Sequence, residues 1–433
     1  MHPPVAPAIA PDSATYSKVT LRIIPFLFLC YVVAYLDRVN VGFAKLQMQN
    51  DLQFSDTVFF AGAGIFFIGY FLFEIPSNLI LEKVGARLWL TRIMITWGII
   101  SALTMSVDSE WLFYLVRFLL GIAEAGFFPG VILYLTYWYP SKRRAQVIGL
   151  FMSAIAVTGI IGNPLSGWIM QVFHNSTGLR NWQMLFLLEG VPSIVVGCFL
   201  PFVLPNRVAD AKWLEETEKA GLTAALQHEE GLKTSWPLRR IFTQPRLLLF
   251  CLVYFGCAGG LYGISFWLPQ LIKDTGIKDP LTIGLLGVIP NLVAGIGMIV
   301  FGWSSDRFRE RRWHFTIAAF VGCLGLLASS WFTNQTVSAI TCFSIGALGV
   351  FASLSLFWPI PAAYLGGTSA AAGIALINSI GNLGGFALPF AVGWLNDHTK
   401  QPTFGLWLLA AFMLLSSLLV FASTPKSLAV DKL

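Results

Sequence analysis

Long apolar blocks alternate with short polar breaks along almost the whole chain. The blocks fall at roughly 20–42, 57–80, 88–107, 111–138, 146–170, 182–204, 246–271, 282–303, 313–332, 338–363, 368–395 and 403–423. Each is about 20 residues long, which is what an α-helix needs to cross a bilayer. The pattern predicts twelve transmembrane helices and therefore an all-α polytopic membrane protein. One long hydrophilic segment divides the blocks six and six. The expected organisation is an N-terminal tail (1–19), a six-helix bundle (20–204), a linker (205–245), a second six-helix bundle (246–423) and a C-terminal tail (424–433). At about 40 residues the linker is too short to bury a core of its own, although residues 212–219 suit a surface helix. The first eleven residues, rich in Pro and Ala, read as a disordered tail. The first apolar block carries Asp37 and Arg38 and lacks a small-residue cleavage site, so it reads as a retained helix.

Composition agrees. The 433 residues are 56% hydrophobic and 12% charged, against about 25% charged in ordinary soluble proteins. The net charge of +6 reflects topology and not nucleic-acid binding. With both termini on one side, 21 of the 28 Lys and Arg fall on that side, 5 fall opposite and 2 lie within helices. The positive-inside rule then places both termini in the cytoplasm. The six cysteines all sit in or at the ends of apolar blocks, where they read as small buried residues with no disulfide or metal framework.

Four charges stand deep inside the apolar blocks. Arg117 and Glu124 are seven residues apart, so with Gly121 they share one helix face. Asp37 and Arg38 form a second pair in the first block. An ionisable group near the bilayer centre costs roughly 2.5–3.5 kcal/mol on insertion scales, so these groups need partners, water or a ligand. The two pairs are expected to face each other across a central cavity, with Arg117 able to pair with Glu124. Glu74 and Glu189 lie nearer helix ends and read as bracing groups. Asn378 and Asn382 suit hydrogen bonds between helices. The five histidines lie in tails, in loops or at a helix edge and form no relay.

The halves repeat. Asn78…Glu82-Lys83-Val-Gly85-Ala-Arg87 matches Gly302…Asp306-Arg307 further along, with the two acids 224 residues apart. Gly149 aligns with Gly373 at the same offset, and Gly167-Trp168 with Gly393-Trp394 at 226. Two parallel six-helix repeats are a transporter signature.

With those motifs in view, nearly the whole chain resembles the major facilitator superfamily, whose loop pattern Gly-x-x-x-Asp-Arg is matched at Gly302, Asp306 and Arg307. Three further stretches resemble its anion:cation symporter branch, which carries tartrate, galactonate, other sugar acids or aromatic acids. They are Tyr35-Leu-Asp37-Arg38-Val-Asn-Val-Gly-Phe-Ala44, Gly69-Tyr-Phe-Leu-Phe-Glu74-Ile-Pro-Ser-Asn78 and Trp182-x-x-Leu-Phe-Leu-Leu-Glu189-Gly. The resemblance implies that Asp37 and Glu124 exchange the coupling protons. It implies that Arg38 pairs and gates, Arg117 meets the substrate carboxylate, and Tyr35 and Tyr70 line the pocket with Ser355, Trp358 and Asn378. Glu82, Lys83, Arg87, Asp306 and Arg307 match the loops that clamp helices in one state of the cycle. Phe357 stands where the galactonate carriers have a hydroxyl residue, a departure from their pattern. With Tyr35, Tyr70 and Trp358 it would also suit a benzoate-like ring.

Chemistry supports the same expectation. A carboxylate loses its water readily only where cations replace it, and a planar guanidinium does so bidentately. The expected function is import of a small organic anion (a sugar acid, hydroxy-acid or dicarboxylate) with protons, by alternating access, in a bacterial inner membrane. The protein is expected to work as a monomer with no cofactor, metal or nucleic acid. Alternatives are an aromatic-acid symporter, a proton-coupled exporter, to whose span-5 motif residues 159–167 show a partial likeness, and a sensor that binds without transporting. An embedded enzyme lacks its parts, since neither a P-loop nor a His-Glu-x-x-His motif occurs.

Overall fold

The computed structural model describes residues 12–173, 178–230, 244–332, 335–364 and 368–423. The expected disordered tail 1–11, the C-terminal tail and the centre of the linker lie outside the described residues. Among the described residues, twelve helices are long and apolar enough to span a membrane. They are α1 (Ser13–Leu52), α2 (Asp56–Val84), α3 (Ala86–Ser106), α4 (Glu110–Thr136), α5 (Val147–Val172), α6 (Asn181–Val203), α7 (Pro245–Asp274), α8 (Pro280–Phe308), α9 (Arg312–Ser329), α10 (Thr336–Pro361), α11 (Leu376–Thr399) and α12 (Thr403–Ser423). The all-α, twelve-helix expectation holds.

Local chemistry sets the ends. Asp12 caps α1 by accepting from the Thr15 amide at 2.7 Å, and Ser55 caps α2 by accepting from the Val58 amide at 3.2 Å. Hydropathy suggested that the first crossing stops near 42, but α1 runs on to Leu52 with Lys45 and Met48 buried. Between α2 and α3 the chain turns at Gly85, whose φ of 96° is open to glycine without strain. There the Asn206 side-chain oxygen accepts from the Arg87 amide at 2.9 Å. In the linker the helix covers Glu216–Glu230, a few residues later than expected. Lys18 of α1 ties to it through Glu218 at 2.7 Å.

Four of the described crossings are interrupted, α5 among them at Ser153 between Met152 and Ala154. The first segment of α4 ends at Glu124, and left-handed Gly126 (φ 86°) restarts the helix at Phe127. The α10 helix pauses at Trp358 before Pro359. The helix that leads into α11 begins at Thr368, and Leu383 separates its first segment, Thr368–Asn382, from the second, Gly384–Thr399. Irregular backbone at membrane depth survives only where protein buries it or a cavity takes it up, so these breaks point toward the site.

Among the first six helices, α2 packs on α4, α3 on α6, and α1 on α5 and α6. Among the last six, α9 packs on α10 and α12, α8 on α10, and α7 on α11 and α12. The two sets meet where α1 touches α7, α2 touches α11 and α5 touches α8. An even number of crossings puts the start of α1 and the end of α12 on one face, the near face.

Toward the opposite, far face, α5 and α8 are in contact. Gly167 lies on the Pro280 carbonyl and Gly284 on the Asn163 carbonyl, so a Cβ at either would collide with backbone. Nearer the near face, a Cβ at Gly149 or Gly302 would meet open space. The α2–α11 contact is likewise made mainly by the far segment of α11, Gly384–Thr399. The bundle is closed at the far face and parts toward the near one.

Candidate functional site

Arg38 of α1 is the centre of the site. It is 7% exposed, and its guanidinium bridges both sets of helices. Nη2 forms an ion pair with Glu124 of α4, and Nη1 donates to the Tyr262 hydroxyl of α7 at 2.7 Å. The rings of Tyr35, Phe66, Tyr70 and Tyr262 surround it, with centroids 5.3–5.9 Å from its central carbon. Aromatic faces stabilise a cation out of water, so this cage offsets part of the cost of burial while Glu124 neutralises the charge.

The cavity beside this cluster is lined by Tyr35, Arg38, Tyr70, Ser355, Trp358 and Asn378, all singled out from sequence. Tyr254, Tyr262, Met298 and Asn382 also line it. Trp358 packs on Tyr254 with ring centroids 4.7 Å apart. Phe357, expected beside Trp358 in the wall, turns away instead. It is fully buried behind Tyr254, against Phe250 and Phe315.

The two charge pairs do not simply face each other. Asp37 points away from the cavity into the first six helices, where its carboxylate accepts from Trp97 Nε1 (2.8 Å), Ser101 Oγ (2.8 Å) and Ser193 Oγ (2.6 Å). Helical geometry explains this, because residues 37 and 38 diverge by about 100° around α1. Arg117 does not line the cavity in this state. It is wholly buried, with its guanidinium carbon 5.4 Å from the centre of the Phe66 ring. Its Nη2 donates to the Ala63 carbonyl at 3.2 Å, while Nε and Nη1 have no partner among the described residues. Glu124, expected to be within reach of Arg117, is held by Arg38 instead.

Glu74 was read as a brace, and it does brace, but across the two sets of helices. From α2 its carboxylate accepts from Asn378 Nδ2 (2.8 Å) and Ser379 Oγ (2.9 Å) of α11. Glu82 and Lys83 are exposed near the α2–α3 turn. Arg87 meets Asn206 only through its backbone amide. Asp306 pairs within its own loop with Arg311 at 2.5 Å, and Arg307 stacks on Trp303 at 5.3 Å.

Sequence reasoning missed Tyr262 and Tyr254. For Tyr262 a signal existed, since it lies 224 residues after Arg38, the same offset that relates the duplicated loops. The repeat therefore places a phenol in one half where the other has its guanidinium.

Residues 27–389 match the family model for the major facilitator superfamily. Over 415 residues, covering 95% of each chain, the protein is 46% identical to the provisionally named metabolite transport protein NicT of Pseudomonas putida. It is 44% identical over 421 residues to a provisionally named tartrate transporter of Agrobacterium vitis, covering 96% of this chain and 93% of that one. A quinolone resistance transporter of Acinetobacter baumannii is 39% identical over 407 residues, 93% of each. Among solved structures, a bacterial homologue of the human lysosomal transporter Spinster in an inward-facing conformation superposes with a TM-score of 0.75. The match covers 95% of this chain and 98% of that one at 18% identity. The chain belongs to the major facilitator superfamily and is a multi-pass membrane transporter, not an enzyme.

Proposed function

We propose that the protein takes up a small organic anion together with protons, and that Arg38 couples the two. The observation that carries this reading is a single guanidinium in the cavity wall that neutralises Glu124 and reaches Tyr262 at 2.7 Å. A substrate carboxylate arriving in the cavity competes with Glu124 for that fork. When the substrate takes it, Glu124 is left buried without its counter-charge and binds a proton. Substrate and proton then move together, and release of one returns Arg38 to the other. Arg117, with two unpartnered nitrogens beside Phe66, is the second cation that a shift of Phe66 brings to the carboxylate. Asp37 is the second proton-carrying acid.

The name of the Agrobacterium vitis relative supports a hydroxy-acid or dicarboxylate as cargo. The phenols and Trp358 of the wall favour a second reading, an aromatic acid. In this reading the two bundles, 20–204 and 246–423, rock about the cavity of a monomer. Both termini are cytoplasmic in an inner membrane, as the distribution of basic residues directs. The near face is then cytoplasmic, and the loops at Glu82, Lys83, Arg87, Asp306 and Arg307 re-form their clamp when that face closes.

The test is uptake into proteoliposomes under an imposed pH gradient, with sugar acids, dicarboxylates, aromatic acids and lipophilic cations compared. One acid should accumulate only with the gradient, and Glu124→Gln should exchange it without concentrating it. Gradient-independent accumulation, or normal concentration by Glu124→Gln, would sink the coupling. Transport of cations alone would make the protein an exporter, and binding without flux would make it a sensor.

Glu74 then acts as a strap across the cavity on its near side. Glu74→Ala removes both bonds to α11, and each hydrogen bond to a charged group contributes about 1.5–3 kcal/mol. The variant is expected to lose roughly tenfold in uptake rate while keeping its affinity, and Glu74→Gln should lose less. An unchanged rate for Glu74→Ala would show that the strap plays no part in the cycle.

A further inference from the structure

Behind the site lies a second buried acid that the coupling scheme leaves unused. Glu189 of α6 is 1% exposed. Its Oε1 accepts from Ser166 of α5 at 2.7 Å, and among the described residues Oε2 makes no close hydrogen bond. Beside it is the Asn40 side chain of α1, which turns toward the Glu189 carboxylate; it is also 1% exposed, and among the described residues neither its amide nitrogen nor its oxygen makes a close hydrogen bond. Leaving a buried polar atom unpaired costs about 1–3 kcal/mol. Three such atoms together make a polar niche of the kind that holds a buried water, which typically takes about three hydrogen bonds.

The niche is tied to Asp37 on both sides. Asn40 follows Asp37 by three residues on α1, so the two share a helix face. Ser193 follows Glu189 by four residues on α6 and donates to Asp37 Oδ2 at 2.6 Å. The directions of the helices order these groups. From the near face α1 runs outward, so Asn40 lies beyond Asp37. From the far face α6 runs inward, so Glu189 lies beyond Ser193. Four residues of helix rise about 6 Å, so Glu189 stands one turn closer to the far face than Asp37. Among the described residues, no basic side chain forms an ion pair with either acid. The charged groups they feel are each other and, through Asp37, Glu124 and Arg117.

We propose that Glu189, Asn40 and a water held between them form a proton relay that loads Asp37 from the far face. The O–H bond of protonated Glu189 breaks, and its proton passes to the water. The water gives a proton to Ser193 Oγ, and Ser193 gives its own to Asp37 Oδ2. One O–H bond is lost at Glu189 and one is formed at Asp37, so the net charge of the pair is unchanged. This rests on the proton-symport reading above.

The experiment uses the full-length protein in proteoliposomes and compares substrate counterflow at equal pH with uptake driven by a pH gradient. Glu189→Gln keeps the shape and can still meet Ser166, while Glu189→Asp keeps a titratable group. The expectation is counterflow within about twofold of the wild type for both variants. Gradient-driven uptake should fall at least tenfold in Glu189→Gln and be largely retained in Glu189→Asp, with Asn40→Ala slow like the Gln variant. Wild-type gradient-driven uptake by Glu189→Gln overturns the relay. So does equal loss of counterflow in the Gln and Asp variants, which would make Glu189 a packing group. If the wild type shows no gradient-driven uptake of any acid, it is the symport reading that fails.

Discussion

Arg38→Ala is expected to abolish uptake, with a loss of at least a hundredfold, and to lower the stability of the purified protein. Removing one partner of a buried ion pair leaves the other uncompensated, at about 3–5 kcal/mol. Here the stranded group is Glu124, which is 1% exposed. Tyr262 loses its donor as well, and with it the hydrogen bond from Arg38 that joins the two sets of helices inside the aromatic cage. Arg38→Lys keeps the charge but replaces a planar fork with a point ammonium, which cannot serve Glu124 and Tyr262 at their two angles. It should retain stability and still lose about ten- to a hundredfold in rate. The double variant Arg38→Ala/Glu124→Gln separates the two roles. Neutralising the stranded acid should restore thermal stability in detergent, whereas uptake should stay absent because no cation remains in the cavity wall. Recovery of uptake in the double variant would mean that Arg38 is only a counter-charge and never meets substrate.

What could be read from sequence follows from which forces act locally. The existence of all twelve helices was legible because length and hydropathy are properties of single segments, and the bilayer demands about 20 apolar residues of each. Their ends were less so. Residues 43–52 look polar enough to leave the membrane, yet α1 carries them on because Lys45 finds Asp56 at 2.9 Å and the rings of Phe60 and Trp267. That compensation comes from two other helices, α2 and α7, and leaves no mark in the local pattern. The cavity wall was legible to a large degree. Tyr35, Arg38, Tyr70, Ser355, Trp358 and Asn378 all line it, since a polar or aromatic residue that interrupts an apolar helix has few other places to go. The pairing of the charges was not legible. Seven-residue spacing puts Arg117 and Glu124 on one face, but the chain breaks at Ala125–Gly126, directly after the acid. There Arg38 takes Glu124, while the Phe66 ring lies against both guanidinium groups. Which of two nearby bases holds an acid is decided by tertiary packing at the scale of a single ring.

Opening of the far face should be governed by Asp397, and Asp397→Ala is expected to shift the protein strongly toward the far-open state. The Asp397 carboxylate sits at the start of α2, where it accepts from the Asp56 amide (3.1 Å), the Thr57 amide (2.6 Å) and Thr57 Oγ1 (2.5 Å). It thus caps a helix of the first six from a helix of the last six, at the end where the α2 dipole favours a negative charge. Asn396 adds a bond to Asp56 at 3.1 Å, and Asp56 in turn holds buried Lys45. Each lost bond to a charged acceptor is worth about 1.5–3 kcal/mol. Even about 3 kcal/mol in total changes the ratio of the two states by roughly a hundredfold. The measurement is labelling of a single cysteine at Ala63, which is fully buried on α2, in a background with the six native cysteines replaced. A membrane-impermeant maleimide applied from the far side should react at least tenfold faster in Asp397→Ala than in the parent. Uptake should fall in parallel, because a carrier held open on one side cannot complete its cycle. The conservative Asp397→Asn keeps an acceptor for one amide and should fall between the two. Labelling at the parental rate would place the lock elsewhere, as where Lys45 of α1 meets the Trp267 ring of α7.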